Sequence, residues 1–522
     1  MRPGLRVSGN FVPEWRTILA RLRRAKLISG EDRHNPGHLD THPLVREYFG
    51  EQLRSQGRDA WKECNRRLYE YYRTLAPELP DGLREMEPLF LAVICGCNAG
   101  LFRAALHEVY VPRIQRGNAK FTASVLGARG ALLAVLVHFF EHGCWGSPVE
   151  MGVEGQSLTA EDRLFIIMEA QEYLTVIRGW GAPEAGICSE SAVSLCHSLD
   201  NPRLLCLALV GQWTYTPTAD KPSAALPIAE RLHSLAQAQD DPTLMIQAYS
   251  ALATTLYWLG DFEPARQYAM RAAQVWCSGN AHSSHMERSP TIVECLVYQA
   301  LSEWHLGEIA SSQTTIAEAV TVAKELHATA SLAMVLQFSA TLAYYERNPA
   351  EVHRWASNLI ELATRHNFAL HLATGFINRG WARSVSGDTA EGLSLIEDGI
   401  REYRAIGPII GLPFFLTRKA EALHLADRTS EALEAINQAG AFVERTESRW
   451  WGIELHRLRG AFLTAMGAEE TQIEASFREA IRIAKEQKSV SLEKRAEATY
   501  AEYLRQKATG QEDVDSDYLL DS

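Results

Sequence analysis

Small residues recur every forty positions through the second half of this chain, at Ala300, Ala340, Gly380, Ala420 and Gly460. Seven residues after each stands a candidate turn: Gly307, Arg347, Gly387, Asp427 and Gly467. On both sides of each turn apolar residues fall at i, i+3, i+4 and i+7, so the unit reads as helix, break, helix. A small residue near the middle of the first helix lets the second pack close. Glycine or aspartate at the break permits a left-handed or capped turn. Such a unit cannot bury its apolar face alone, and 522 residues is too long for one ordinary core, so stacking of successive units is the solution the period imposes. The expectation is an all-α solenoid.

The segment Leu259-Gly-Asp-Phe-Glu-Pro-Ala265 shows the unit most clearly, with Ala265 and Ala272 seven apart on the helix after the turn. Ser386-Gly-Asp-Thr-Ala-Glu-Gly392 repeats it, and Ala475-Ser-Phe477-Arg-Glu-Ala480 carries its second-helix aromatic and alanine. These residues resemble the tetratricopeptide repeat, with a period near forty. The resemblance implies a right-handed α-solenoid of helical hairpins. Fainter pairs precede these units, with Pro183, Pro202 and Pro222 near helix starts. Seven or eight hairpins are expected over 160–506, closed by a capping helix rich in Glu, Lys and Arg. The stretch 507–522 is acidic and aperiodic, which predicts a disordered tail.

Residues 1–58 and 59–145 do not follow the period. Residues 14–28 read as a basic amphipathic helix carrying Arg16, Arg21, Arg23, Arg24 and Lys26. A loop with Pro36 and Gly37, a short extended Leu39-Asp-Thr-His42 and a helix from Pro43 to Leu53 follow. That order is what the end of a winged helix looks like. Four further helices, punctuated by Pro77, Pro80, Pro88 and Pro112, make a helical linker domain over 59–145. Leu39-Asp-Thr-His-Pro-Leu-Val-Arg-Glu-Tyr-Phe49, Glu85-Met-Glu-Pro-Leu-Phe90 and Arg113-Ile-Gln-Arg-Gly-Asn118 resemble bacterial STAND-type signalling NTPases of the NB-ARC branch. Thr374-Gly-Phe-Ile-Asn-Arg-Gly-Trp381 and Trp450-Trp-Gly-Ile-Glu-Leu-His-Arg-Leu-Arg-Gly460 look like the repeat region of bacterial predicted ATPases, some fused to adenylate or guanylate cyclase domains. In such proteins a P-loop ATPase module precedes a winged helix and repeats. This sequence has no G-x-x-x-x-G-K-[ST] and no Gly-Lys dipeptide, so nothing in it cradles phosphates. The resemblance therefore implies only the sensor half, with the ATPase half encoded separately or lost by truncation.

Other chemistry finds little footing. The formal net charge of −12 gives no field favouring nucleic acid or anionic membrane. The longest apolar runs are about ten residues, short of a membrane span. No secretory leader is read at the start, and nine scattered cysteines suit reduced thiols, so a cytoplasmic protein is expected. His34, His38 and His42 share helical spacing, but Pro36, Gly37 and Pro43 break any helix that would align them on a metal. Cys95-Gly-Cys97 lacks finger spacing, and no nucleophile elbow is present. No catalytic residue, metal or cofactor is expected.

Projected onto a tetratricopeptide array, the first helix of each hairpin lines a concave groove. That register selects Trp304, Gln337, Tyr344, Trp381, Glu421, His424, Glu454 and Arg457 as the partner-binding set. Aromatic rings beside charges suit a peptide groove, where ring burial gives affinity and charge selects. The competing reading packs Trp304 and Trp381 between hairpins as core. The expected function is a non-catalytic sensor and scaffold. It would bind a protein, peptide or small ligand in the repeat groove and regulate a STAND-type NTPase, which could be a separately encoded partner. The alternative is a winged-helix transcriptional regulator with the repeats as inducer domain.

Overall fold

The computed structural model describes residues 12–28, 41–219, 221–278 and 291–509. These fall into two compact units. One comprises residues up to Ile114 together with Met151–Ser157, and the other comprises Gln115–Glu150 and everything from Leu158 onward.

In the first unit the main helices are Val12–Arg24, Pro43–Gln56, Arg58–Leu75 and Leu83–Ala99. A helical run over Phe102–Ala104 then widens into a π-type helix that carries Pro112. The Arg58–Leu75 and Leu83–Ala99 helices meet closely at Gly96, where a Cβ would stand 3.0 Å from Ala105 and 3.1 Å from the Tyr69 ring. Leu39 and Asp40 of the expected extended segment lie outside the described residues, as do His34 and His38. Thr41 and His42 form no strand. His42 instead caps the Pro43–Gln56 helix, its Nδ1 accepting from the Leu44 amide at 3.3 Å.

From Ala160 the second unit is the expected all-α array of tetratricopeptide-like hairpins. Eight helical pairs follow one another among the described residues: 160–178 with 183–199, 202–219 with 222–239, 242–259 with 262–278, and 291–305 with 309–325. Then come 329–345 with 349–366, 369–385 with 389–406, 412–425 with 429–446, and 452–465 with 470–487. A last helix, Val490–Thr509, closes the array. Pro183, Pro202, Pro222, Pro242 and Pro349 each open a helix, where the missing amide hydrogen costs nothing.

The sequence period maps onto backbone geometry. Gly260, Gly307, Arg347, Gly387, Asp427 and Gly467 all have positive φ at the turn inside a hairpin. A second set, Asp200, Asp240, Asn367, Gly407, Glu447 and Lys488, has positive φ where one hairpin hands over to the next. The small residues of the first helices lie at helix crossings. A Cβ on Gly380 would come within 2.6 Å of the Gly392 carbonyl, and one on Gly460 within 2.8 Å of the Phe477 ring.

The array also coils back on itself. The amides of Arg449 and Trp450 donate to the Trp258 carbonyl, across some 190 residues of chain. His305 Nδ1 bonds Ser489 Oγ at 2.9 Å, and Ser491 Oγ donates to the Trp304 carbonyl at 2.5 Å. Lys221 and Ser223 both reach the Glu447 carboxylate at 2.7 Å. The last helix therefore seats against the ends of first helices far earlier in sequence, and the inside of the coil is filled with side chains.

Candidate ligand-binding cleft

The first helices project their largest side chains inward, and these form one continuous interior layer. Trp304, Tyr344, Tyr345, Trp381 and Trp451 are all buried. Tyr345 stacks on Trp451 at 5.1 Å, with Trp304 at 4.5 Å and Phe414 edge-on to both Tyr344 and Trp451.

Charge is threaded through this layer. Glu421, 1% exposed, accepts from Tyr344 Oη at 3.0 Å, from Arg347 Nη1 at 2.9 Å and from Trp381 Nε1. Arg347 reaches it from a left-handed turn position, where a glycine would carry no strain and no guanidinium. Glu454 forms a bidentate pair with Arg457, at 2.9 and 2.6 Å, and Arg495 lies 3.8 Å away. Burial would raise the Glu454 carboxyl, but the adjacent guanidinium of Arg457 outweighs it and holds the pKa at about 2. Arg418 differs from its neighbours. Fully buried, it lies 4.0 Å from the Phe414 ring centre and 4.4 Å from that of Tyr344, and none of its three guanidinium nitrogens has a hydrogen-bond partner.

Of the eight residues that the groove register selected, seven lie in this interior. Trp304, Tyr344, Trp381, Glu421, His424, Glu454 and Arg457 are all less than 9% exposed. The first helices bring them to the inside of the coil. The coil is wound tightly enough that this inner face packs against itself and presents no open groove there. His424 bonds Thr429 Oγ1 at 2.9 Å and lies against Phe462, and burial lowers its pKa.

Gln337 is the exception. It lines a solvent-open cleft, two helical turns before Tyr344 of the filled layer. Met334, Phe338 and Thr341 share its helix. Leu370, His371 and Asn378 come from the next first helix, Phe414 and Phe415 from the one after, and Trp258, Tyr298 and Trp450 close the remaining sides. Among the described residues no Asp, Glu, Lys or Arg lines the cleft. Its polar groups are joined into one set. Gln337 Oε1 accepts from Thr374 Oγ1 at 3.0 Å and stands 3.0 Å from His371 Nδ1. With the amide so placed, His371 carries its hydrogen on Nδ1 and leaves Nε2 as an acceptor. Burial pushes the His371 pKa down to about 4, so the ring is neutral at physiological pH. Asn378 Nδ2 donates to the Thr374 carbonyl at 2.9 Å, which leaves the buried Oδ1 with no partner.

Reading the sequence by groove register finds Gln337 but misses His371, Thr374 and Asn378. Their signal is a polar stripe at i, i+3 and i+7 on an otherwise apolar helix face. Six cysteines, including Cys95 and Cys97, are buried free thiols, and Cys64, Cys144 and Cys277 are exposed. Among the described residues no His, Cys, Asp and Glu group could hold a metal, and no helix is long and apolar enough to cross a membrane.

No family model matches this sequence. An uncharacterized protein of Rhizobium meliloti (strain 1021) is 26% identical over 197 residues, which is 38% of this chain. The match spans about a fifth (19%) of that relative's length. Among solved structures, a Rap protein complexed with competence and sporulation factor aligns over 68% of this chain and 100% of its own, at 12% identity and a TM-score of 0.46. NprR in complex with its cognate peptide NprX aligns over 65% and 99%, at 13% identity and a TM-score of 0.40. A Signal Transduction ATPase with Numerous Domains protein with a tetratricopeptide repeat sensor, from Pyrococcus horikoshii, aligns over 87% and 71%, at 14% identity and a TM-score of 0.35.

Proposed function

We propose that this chain is a non-catalytic sensor: a ligand enters the cleft of the helical array, and the occupied array regulates an associated STAND-type NTPase. The cleft carries the ligand-binding half of this reading. Between the described hairpins a concave, aromatic-walled space stays open, with a few convergent polar groups at its wall. Its walls come from several separate hairpins, so an occupant would contact their relative stacking. A ligand that prefers one stacking over another shifts the population toward it, which is the minimum a sensor needs. Of the groove set, Gln337 would touch the occupant, and the other seven residues would hold the helices that frame it. A protein or peptide partner would therefore insert an apolar side chain here, because among the described residues no charged one lines the cleft.

The regulatory half rests on the sequence resemblance of residues 39–49, 85–118, 374–381 and 450–460 to STAND-type proteins. The transcription-factor alternative depends on the basic helix Val12–Arg24, and the described residues after it supply no wing strand.

The test is calorimetric titration of the purified chain with a panel of metabolites and short peptides, run beside Leu370→Trp. Leu370 is half-buried at the cleft, and an indole there would narrow it. At least one saturable ligand is expected for the native chain and not for the variant, with both melting alike. Binding that is indifferent to Leu370→Trp refutes the site, and ATP turnover by the chain alone refutes the non-catalytic assignment.

A further inference from the structure

We propose that the cleft takes an uncharged, flat aromatic ligand bearing an N–H or O–H donor, and that Asn378 selects it through that donor. The inference rests on the cleft being the ligand site and names the class of its occupant.

Three observations converge. The walls are rings: Trp258, Tyr298, Phe338, Phe414, Phe415 and Trp450 surround the cleft. Stacked and edge-on ring contacts reward a planar aromatic partner. Among the described residues the lining is also free of ionised groups, and His371 is held neutral by burial, so an anionic ligand would shed its hydration with nothing beside it to replace it.

The third observation sets the polarity. Asn378 is buried, its Nδ2 is committed to the Thr374 carbonyl, and its Oδ1 has no partner. A buried amide oxygen left unmade is costly, and a ligand donor recovers that cost. His371 Nε2, the acceptor left free once Nδ1 faces Gln337, belongs to a residue two turns before Asn378 on the same face of that helix, on the same cleft wall. At Asn378 and His371 the wall thus offers acceptors, and there a ligand with only acceptors would meet lone pair with lone pair. Discrimination by a buried polar group is larger than discrimination by shape, because the wrong ligand leaves the protein atom unpaired.

Carbazole and fluorene make the test direct, since they share shape and differ by an N–H in place of a CH₂. Carbazole binding is followed by its own fluorescence, and fluorene by competition against it. The full native chain is expected to bind carbazole about tenfold more tightly than fluorene, the ratio that about 1.4 kcal/mol corresponds to. In Asn378→Leu that preference should vanish through weaker carbazole and equal or stronger fluorene binding, with an unchanged helical circular dichroism spectrum. The native-chain comparison needs no variant, so a misfolded Asn378→Leu leaves the test standing. Equal binding of the two probes, or a preference that survives Asn378→Leu, overturns the assignment. So does tighter binding of fluorene-2-carboxylate than of carbazole, which would hand the site to Arg418 behind Phe414. If no probe binds while the panel above still yields a ligand sensitive to Leu370→Trp, this inference falls and the sensor reading remains.

Discussion

A close helix crossing in the array makes a quantitative prediction. Gly380 and Gly392 face one another where helices Ala369–Val385 and Thr389–Ile406 cross. A Cβ added at Gly380 would stand 2.6 Å from the Gly392 carbonyl oxygen, 2.8 Å from Ile396 Cγ1 and 3.0 Å from the Ile396 amide. Side-chain atoms can rotate out of the way, but a carbonyl held in a helix cannot, so the helices must separate. Overpacking of this kind costs about 3 kcal/mol, the upper part of its usual range. Alanine gives back about 1 kcal/mol as the better helix former. Gly380→Ala is therefore expected to destabilise by about 2 kcal/mol. Gly440, in the interior of Thr429–Thr446, supplies the opposite case: an added Cβ meets nothing within 4 Å, so Gly440→Ala keeps only the propensity term and stabilises by about 0.5–1 kcal/mol. Urea unfolding followed by helical circular dichroism reads both as shifts in midpoint. The shifts are compared at unchanged slope because long repeat arrays need not unfold in two states. A Gly380→Ala midpoint indistinguishable from native, or shifts of the same sign for the two variants, would refute the close-crossing argument.

Two further perturbations test the interior charge and one of its titrating groups. Glu421→Gln should destabilise by about 3–5 kcal/mol, since it strips the buried Arg347 guanidinium of its counter-charge; Arg418→Met, which replaces a buried guanidinium without a hydrogen-bond partner by an apolar chain of similar length, should be neutral or stabilising by about 1–4 kcal/mol in the same urea assay. A large loss for Arg418→Met would mean that its charge has a partner. Glu294 supplies a pH dependence: burial raises its pKa from 4.5 to about 7, against the opposing hydroxyl bonds of Ser250 and Thr254. Between pH 4.5 and 7 the folded chain holds that proton while the unfolded chain has released it, so this group's contribution falls as pH rises and levels off above 7. His371, lowered to about 4, acts in the opposite sense over an overlapping window, so the observable is the difference between native and Glu294→Gln chains. Glu294→Gln should gain about 2 kcal/mol relative to native on going from pH 5 to pH 8, and a difference flat with pH would remove the assignment.

How much of this could be read in the sequence varies with the kind of interaction. The turns were legible where glycine or aspartate marked them, as at Gly307, Gly387, Asp427 and Gly467, because residue type and backbone requirement coincide there. Arg347 was legible only through the period. The positive-φ positions between hairpins, such as Glu447 and Lys488, carry side chains that give no local sign, since tertiary contacts impose that conformation. The inward register of Trp304, Tyr344, Trp381 and Glu421 was also legible, because a face repeats with the helix. Whether that face lines a groove or a packed interior depends on how tightly the coil winds. That is set by contacts such as Arg449 to Trp258 and Ser489 to His305, between residues 184 or more apart, which no local pattern encodes. The cleft was missed for the same reason: it exists only where separate hairpins leave a gap.

The interior charges answer a problem that the repeat itself creates. Units built on one forty-residue pattern offer similar apolar ridges, so a hairpin slipped against its neighbour would still bury comparable surface, and hydrophobic burial is non-directional. Hydrogen bonds are not interchangeable in this way. Glu421 collects donors from the first helix at 329–345, from the turn after it, and from the helix at 369–385, while it sits on the helix at 412–425 itself. Only one stacking of those three hairpins satisfies it, and every slipped stacking strands a buried carboxylate or guanidinium at a cost of several kcal/mol. Arg495 does the same for the closing helix, bonding the Tyr345 carbonyl and lying beside Glu454. The cleft borrows its walls from these same three first helices, two turns before the charged layer. Its polar set, Gln337 and Thr374 with His371 and Asn378, is thus held in register by bonds that no ligand needs to touch. A ligand acting on the stacking would work against Glu421, and that makes Glu421→Gln the variant in which occupancy and stability should become most strongly coupled.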